Sequence, residues 1–335
     1  MTARSAREEQ EAAQRRSLWG ALALGAVAVG TPALLYLLRR KRSPGLTAPR
    51  WGRDQSTHWR GQEIVFETVG SGLPVVLLHS LGPGHHGEEW SRVAVSLGEE
   101  HRIVVPDLPG FGRSAGVTGQ LDSRILVDFV HDFLADVVRT PAVLVGVGRT
   151  ASYAVQVTAE APALVRALGL VAPRGLSTAQ GPPRPGDRLV RFLLRLPWLA
   201  GLALWWWTTR GGISRHLQEE VFASRERVDA RARKQYHAAA NQPGAQRALA
   251  ALLAGRLELD VRKVVETIDV PTWIGWGRLC TAPPVENAHL WLHRIPGAEL
   301  EIFEGSGLLP HAERPGRFAR ALSRFLDGLS TENPD

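Results

Sequence analysis

The chain has 335 residues, 44% hydrophobic and 22% charged, which suffices for one large core plus an insertion and excludes a disordered or fibrous protein. Its net charge of +7 rests on arginine, since Lys41, Lys234 and Lys263 are the only lysines. A GC-rich genome explains that bias, as does attraction to anionic lipid, whereas no aromatic-basic pattern of a nucleic-acid groove is present.

Residues 1–17 read as a polar tail. Leu18 to Leu38 is an uncharged, mostly apolar run, long enough as a helix to reach roughly 30 Å and span a bilayer. Trp19 and Tyr36 sit near its ends, where amphipathic rings favour the interface. Ala26-Val27-Ala28 is a passable signal-peptidase site, but the apolar run continues past it and stops at Arg39-Arg40-Lys41-Arg42, so the sequence predicts an uncleaved anchor over 18–38. Basic residues are more numerous after the run than before it, which points the globular part towards the cytoplasm and predicts a single-pass protein of the cell membrane. Residues 39–57 read as a basic, Pro- and Gly-rich tether.

The first expected strand is Gln62–Val69, closed by Gly70-Ser71-Gly72 as in a hairpin. Pro74–Leu78 is apolar throughout, as in a strand covered on both faces, and leads into His79-Ser80-Leu81-Gly82-Pro83-Gly84. A helix from Trp90 to about Leu97 follows, then a buried strand over Arg102–Val105 ending in Pro106-Asp107-Leu108-Pro109-Gly110-Phe111-Gly112-Arg113-Ser114. The run Ala142-Val143-Leu144-Val145-Gly146-Val147-Gly148-Arg149-Thr150-Ala151 predicts strand, sharp turn and helix. Gly146-x-Gly148-x-x-Ala151 also fits a dinucleotide fingerprint, but the next strand, Ala167–Ala172, ends in Pro173-Arg174 with no carboxylate for a ribose. No cofactor is expected.

These motifs together resemble the α/β-hydrolase family in its esterase, epoxide-hydrolase and haloalkane-dehalogenase-like branch. The resemblance extends through Val165–Pro173, resumes at Val270-Pro271-Thr272-Trp273-Ile274-Gly275-Trp276-Gly277, and closes with Ala298–Gly307 and Leu309–Pro315. It implies an α/β fold, a mostly parallel sheet with helices on both faces, whose core is split into 58–173 and 263–328 around a helical cap at 174–262, with a tail at 329–335. Within the cap, Arg188 to Trp207 carries arginines on one helical face and ends in Trp205-Trp206-Trp207. It reads either as cap core packed over the pocket or as a surface lying on the membrane.

The resemblance also assigns positions to a catalytic triad, and all three are substituted here. The serine of the G-x-S-x-G nucleophile elbow falls on Gly148, the acid of W-G-x-x-D on Cys280, and the histidine of G-x-G-H on Leu308. Nearby Ser80, Thr150, Ser152 and His311 are possible substitutes, His311 reading as a surface or structural residue, and Cys280 is the one alternative nucleophile, a thiol without an evident base. The backbone amides of Arg149 and of Ser80 or Leu81 would form the family's oxyanion hole, able to hold a carboxylate or phosphate. The resulting expectation is a pseudoenzyme that binds an apolar or amphiphilic ligand or a protein partner, with membrane lipids as further partners and no nucleic acid. The alternative is an active hydrolase of lipophilic esters with a non-standard site.

Overall fold

The computed structural model describes residue 46, residues 51–176 and residues 197–331 apart from 225 and 227. The expected membrane span at 18–38 lies outside these residues, as does the first part of the Arg188–Trp207 segment; among the described residues no helix is long and apolar enough to cross a membrane.

Eight strands form one sheet in the order β1-β2-β4-β3-β5-β6-β7-β8. β1 (Arg53–Trp59) and β2 (Gln62–Val69) form a hairpin closed by Arg60-Gly61, both at positive φ, as a two-residue primed turn requires. β2 pairs antiparallel with β4 (Arg102–Pro106), and from there every neighbour is parallel: β3 (Pro74–Leu77), β5 (Ala142–Val147), β6 (Val165–Val171), β7 (Thr272–Gly277) and β8 (Glu299–Phe303). β1 corrects the expected tether over 39–57, because residues 53–57 are strand and Trp51 donates to Glu88 from against the core. The strand escapes a hydropathy reading because it is a half-exposed edge, held by its ladder to β2 and not by an apolar face.

The parallel strands lack alternation because both faces are covered. Val76 and Leu144 enter one apolar cluster, while their neighbours Val75, Leu77, Val143 and Val145 enter the other. The first cluster is covered by α2 (Ser123–Phe133), α3 (Arg149–Glu160) and α8 (Ala288–Arg294), and the second by α1 (Ser91–Leu97) and α10 (Pro315–Thr331). The cap supplies α4 (Pro197–Trp207), α5 (Arg210–His216), α6 (Ala230–Ala240) and α7 (Ala245–Leu253). Its Ile213, Leu217, Val221 and Tyr236 belong to the second cluster, so the cap shares a core with the sheet. The short helix α9 (Pro310–Glu313) leads into α10. Successive connections leave β3 towards opposite sides of the sheet, so the loops after β3 and β5 meet at the topological switch point where open α/β sheets hold ligands.

Candidate functional site

At the end of β5 the chain turns sharply into α3, and two glycines are required for it. A Cβ on Gly146 would lie 2.6 Å from the backbone of Thr150 and Ala151, because the helix packs directly onto the strand end. Gly148 has φ 60° and ψ −109°, a conformation that side-chain-bearing residues adopt only under strain. Its N–H donates to the Val171 carbonyl (2.8 Å) and its carbonyl accepts from the Arg174 N–H (3.0 Å). The Thr150 hydroxyl closes the turn, accepting from the Val147 N–H (2.8 Å) and donating to the Val147 carbonyl (3.0 Å).

Three loops meet here. A Cβ built on Gly148 has Leu308 Cδ1 as its neighbour at 3.9 Å, so the turn has room for a side chain. The loop after β7 lies along the loop after β8, with the Leu279 N–H donating to the Ser306 carbonyl (2.9 Å). Cys280 follows Leu279 and is buried; burial pushes its thiol up to about 11, so it is neutral at ordinary pH and a poor nucleophile. Gly148, Cys280 and Leu308 thus occupy neighbouring loops at one end of the sheet, carrying no side chain, a neutral thiol and an alkyl group.

The ligand residues expected from sequence divide. The Ser80 N–H is consumed by Glu89 Oε1 at 2.5 Å, so it is not available to a ligand, which corrects that expectation. Leu81 is buried within the first apolar cluster. Arg149 is the first residue of α3, and its amide is among those a helix leaves without an intrahelical acceptor. Its guanidinium grips Glu258 Oε1 through Nε (2.7 Å) and Nη2 (2.6 Å).

Three of the possible substitutes, Thr150, Ser152 and His311, are engaged elsewhere. Thr150 is spent on the turn. The Ser152 hydroxyl donates to the Arg174 carbonyl at 2.5 Å. His311, expected on the surface or in a structural role, is fully buried and stacks on Trp90 with ring centroids 3.7 Å apart, so its role is structural.

What sequence reasoning missed is a buried polar seam between core and cap. Glu89 faces His85 Nδ1 at 2.9 Å and His311 Nε2 at 3.8 Å; His85 Nε2 meets His216 Nε2 of α5 at 3.3 Å, and His216 Nδ1 meets Glu220 at 2.9 Å. Burial pushes the Glu89 carboxyl up, but the imidazoles of His311 and His85 outweigh it and hold the group well below the usual carboxylate range. Burial lowers His85 to about 4, against the pull of Glu89, and lowers His79 and His311 as well. The local signal was the spacing of four in His216 and Glu220, which places imidazole and carboxylate one helical turn apart, whereas His85 lies in the loop ahead of the short turn Gly87–Trp90 that carries Glu89. Among the described residues one group, Glu100, His101 and Asp327, brings three potential metal donors within 4.8 Å of one another; its two carboxylates are exposed, and it includes none of the residues around Gly148.

The family described as the alpha/beta hydrolase family matches residues 75–321. An uncharacterized protein of Mycobacterium tuberculosis is 26% identical over 288 residues, covering 80% of this chain and 79% of its own length. The pimeloyl-[acyl-carrier protein] methyl ester esterase of Vibrio cholerae is 28% identical over 265 residues, covering 78% of this chain and 97% of its own. Among solved structures, a membrane phospholipase A described as a bacterial virulence factor superposes with a TM-score of 0.69 at 24% identity, over 94% of this chain and 99% of its own, a likeness of fold.

Proposed function

The chain belongs to the alpha/beta hydrolase family, and we propose that it is a membrane-anchored member without hydrolytic chemistry, which holds an apolar or amphiphilic ligand, or a protein partner, where relatives hold a substrate. The observation that carries this reading is Gly148 at the elbow with Cys280 and Leu308 on the adjoining loops. Acyl transfer by such a site needs a nucleophile, a base that takes its proton and a carboxylate that orients the base. Glycine, a neutral thiol and leucine supply none of them. The three replacements also suit one another, since losing the serine alone would leave a buried imidazole and carboxylate to desolvate without purpose.

Support for the membrane part comes from the uncharged run at 18–38 and from α4. Leu202 is 40% and Trp206 48% exposed, and the Arg215 guanidinium lies 5.4 Å from the Trp206 ring centroid. Exposed Trp and Leu beside Arg suit the headgroup boundary of a bilayer better than the interior of a cap. An anchor followed by a short tether makes cap contact effectively intramolecular.

The alternative, an active hydrolase of lipophilic esters, is favoured by the name of the Vibrio cholerae relative. Labelling of the full-length protein with a serine-reactive fluorophosphonate and a thiol-reactive probe separates the two readings. The proposal expects no stoichiometric, active-site-dependent labelling by the fluorophosphonate, and such labelling would support the hydrolase. Native co-purification followed by lipid and protein mass spectrometry then identifies what is held. Extraction of the full-length protein by carbonate would remove the anchor from the account.

A further inference from the structure

The family places its catalytic acid after the sixth or seventh strand, and this chain carries Arg174 after β6 and Cys280 after β7. The Arg174 backbone N–H is bonded to the Gly148 carbonyl at 3.0 Å, which fixes the residue beside the elbow. Its side chain is three-quarters buried, yet among the described residues its guanidinium makes no hydrogen bond, and the nearest carboxylate oxygen, Glu258 Oε2, is 4.0 Å from Nε. Glu258 is already engaged by Arg149, so two guanidinium groups share one carboxylate and leave one positive charge. Burial and the charge of Arg149 both work against the ionised form of Arg174, while Glu258 favours it. A mostly desolvated cation with no hydrogen bond among the described residues weakens a fold unless something else partners it. The α3 N-terminus beside it favours the same sign of partner.

We propose that Arg174, backed by Arg149, binds the anionic head, carboxylate or phosphate, of the amphiphile held beside Gly148. This inference rests on the non-catalytic ligand-binding reading above and adds the charge of the ligand to it. With Cys280 at the acid position after β7 and Arg174 at the one that some family members use after β6, the charge beside the elbow is positive where the family's is negative. The guanidinium's forked donors match a carboxylate or phosphate, and an alkyl tail has Leu308 for company.

The test is equilibrium dialysis of the full-length protein in neutral nanodiscs, with empty nanodiscs subtracted, against dodecanoate, dodecyl phosphate, dodecanol and inorganic phosphate. At least one of the two anionic amphiphiles is expected to bind about tenfold or more tightly than dodecanol, the margin of a charge-assisted hydrogen bond. Weak binding of inorganic phosphate would assign the site to lipid-like ligands, and tight binding of it to a free anion. Arg174→Gln should reduce the anionic amphiphiles to the level of dodecanol without lowering the melting temperature, because a largely buried charge that only shares the Glu258 carboxylate, at 4.0 Å, is removed; a purely structural arginine would lower it. Arg174→Lys should keep part of the preference, and Glu258→Gln should strengthen anion binding by removing the competing carboxylate. Dodecanol binding as tightly as dodecanoate and dodecyl phosphate, or an anion preference that survives Arg174→Gln, overturns the inference and leaves the ligand-binding reading standing. Failure of every amphiphile to bind overturns both, whereas hydrolysis of methyl dodecanoate, incubated with the same nanodiscs as a separate sample, contradicts the non-catalytic reading and spares the anion preference.

Discussion

Gly146 and Gly148 look alike in the sequence and differ in what they permit. At Gly146 any Cβ meets backbone at 2.6 Å, so Gly146→Ala is expected to cost about 3 kcal/mol or more, the upper end of overpacking, measured by denaturant midpoint. At Gly148 the space is open, and Gly148→Ser is expected to cost only about 1–3 kcal/mol, the strain of a left-handed φ. That substitution alone should stay unreactive towards fluorophosphonate for want of a base. The triple variant Gly148→Ser, Cys280→Asp, Leu308→His should gain labelling, since the elbow and its loops keep their arrangement; a triple variant that folds and stays inert would mean that the loops are not where catalysis needs them. The three residues were legible because each stands inside a recognisable motif. Thr150 was read as one of several nearby substitutes, and only the paired bonds to Val147 reveal that its hydroxyl closes a turn that the family motif ends in glycine.

Among elements, the seam between the loop at His85, the turn and helix at Glu89 and Trp90, and cap helices α5 and α6 governs the response to pH. His79, His85 and His311 are held neutral by burial, with pKa values below those of the unfolded chain. A depressed histidine contributes stability that is full above its unfolded value and is lost as pH falls towards the folded one; for His85 that window runs from 6.5 to about 4. Glu89, also depressed, acts in the same direction lower down, its contribution being lost as pH falls below the ordinary glutamate range. Stability, read as the denaturant midpoint, should therefore fall below pH 6.5, by up to roughly 1.4 kcal/mol per pH unit from His85 alone, with His79 and His311 acting in the same direction and hydrogen exchange rising first in α5 and α6. His85→Gln should flatten the slope by one proton, and an unchanged slope would remove His85 from the seam.

A second strap joins the same elements. Glu313 accepts from the Gly307 N–H (2.6 Å) and the Ala223 N–H (3.1 Å), and the Leu308 N–H donates to the Val221 carbonyl (2.9 Å), so the cap segment 221–223 is fastened to the loop beside Gly148. Glu313→Ala should speed amide exchange at 221–223 and 305–308 together; exchange rising in one segment alone would mean that they are not coupled. Neither the contact that closes the seam nor the strap was legible in the sequence, because His85 and His216 stand 131 positions apart and Ala223 and Glu313 stand 90 apart. β1 was missed for a related reason: an edge strand of alternating polar residues is held by pairing, which leaves no apolar signature.

At the scale of the molecule, fully buried strands, the order of the motifs and the cap insertion were all legible, since parallel strands covered on both faces read as uninterrupted apolar runs. The charge of the site was not, because Arg174 gains its meaning only from Arg149 and Glu258 folding against it. The central claim is that this scaffold keeps the architecture of a hydrolase without its reaction. Intact triads contribute on the order of a millionfold to turnover, so the two alternatives are far apart in any assay. The most direct measurement is the hydrolysis rate of p-nitrophenyl esters from butyrate to dodecanoate by the purified full-length protein, alongside its Cys280→Ala variant. The account predicts no saturable turnover above the buffer rate and no difference between the two proteins; saturable ester hydrolysis, and above all a rate abolished by Cys280→Ala, would contradict it.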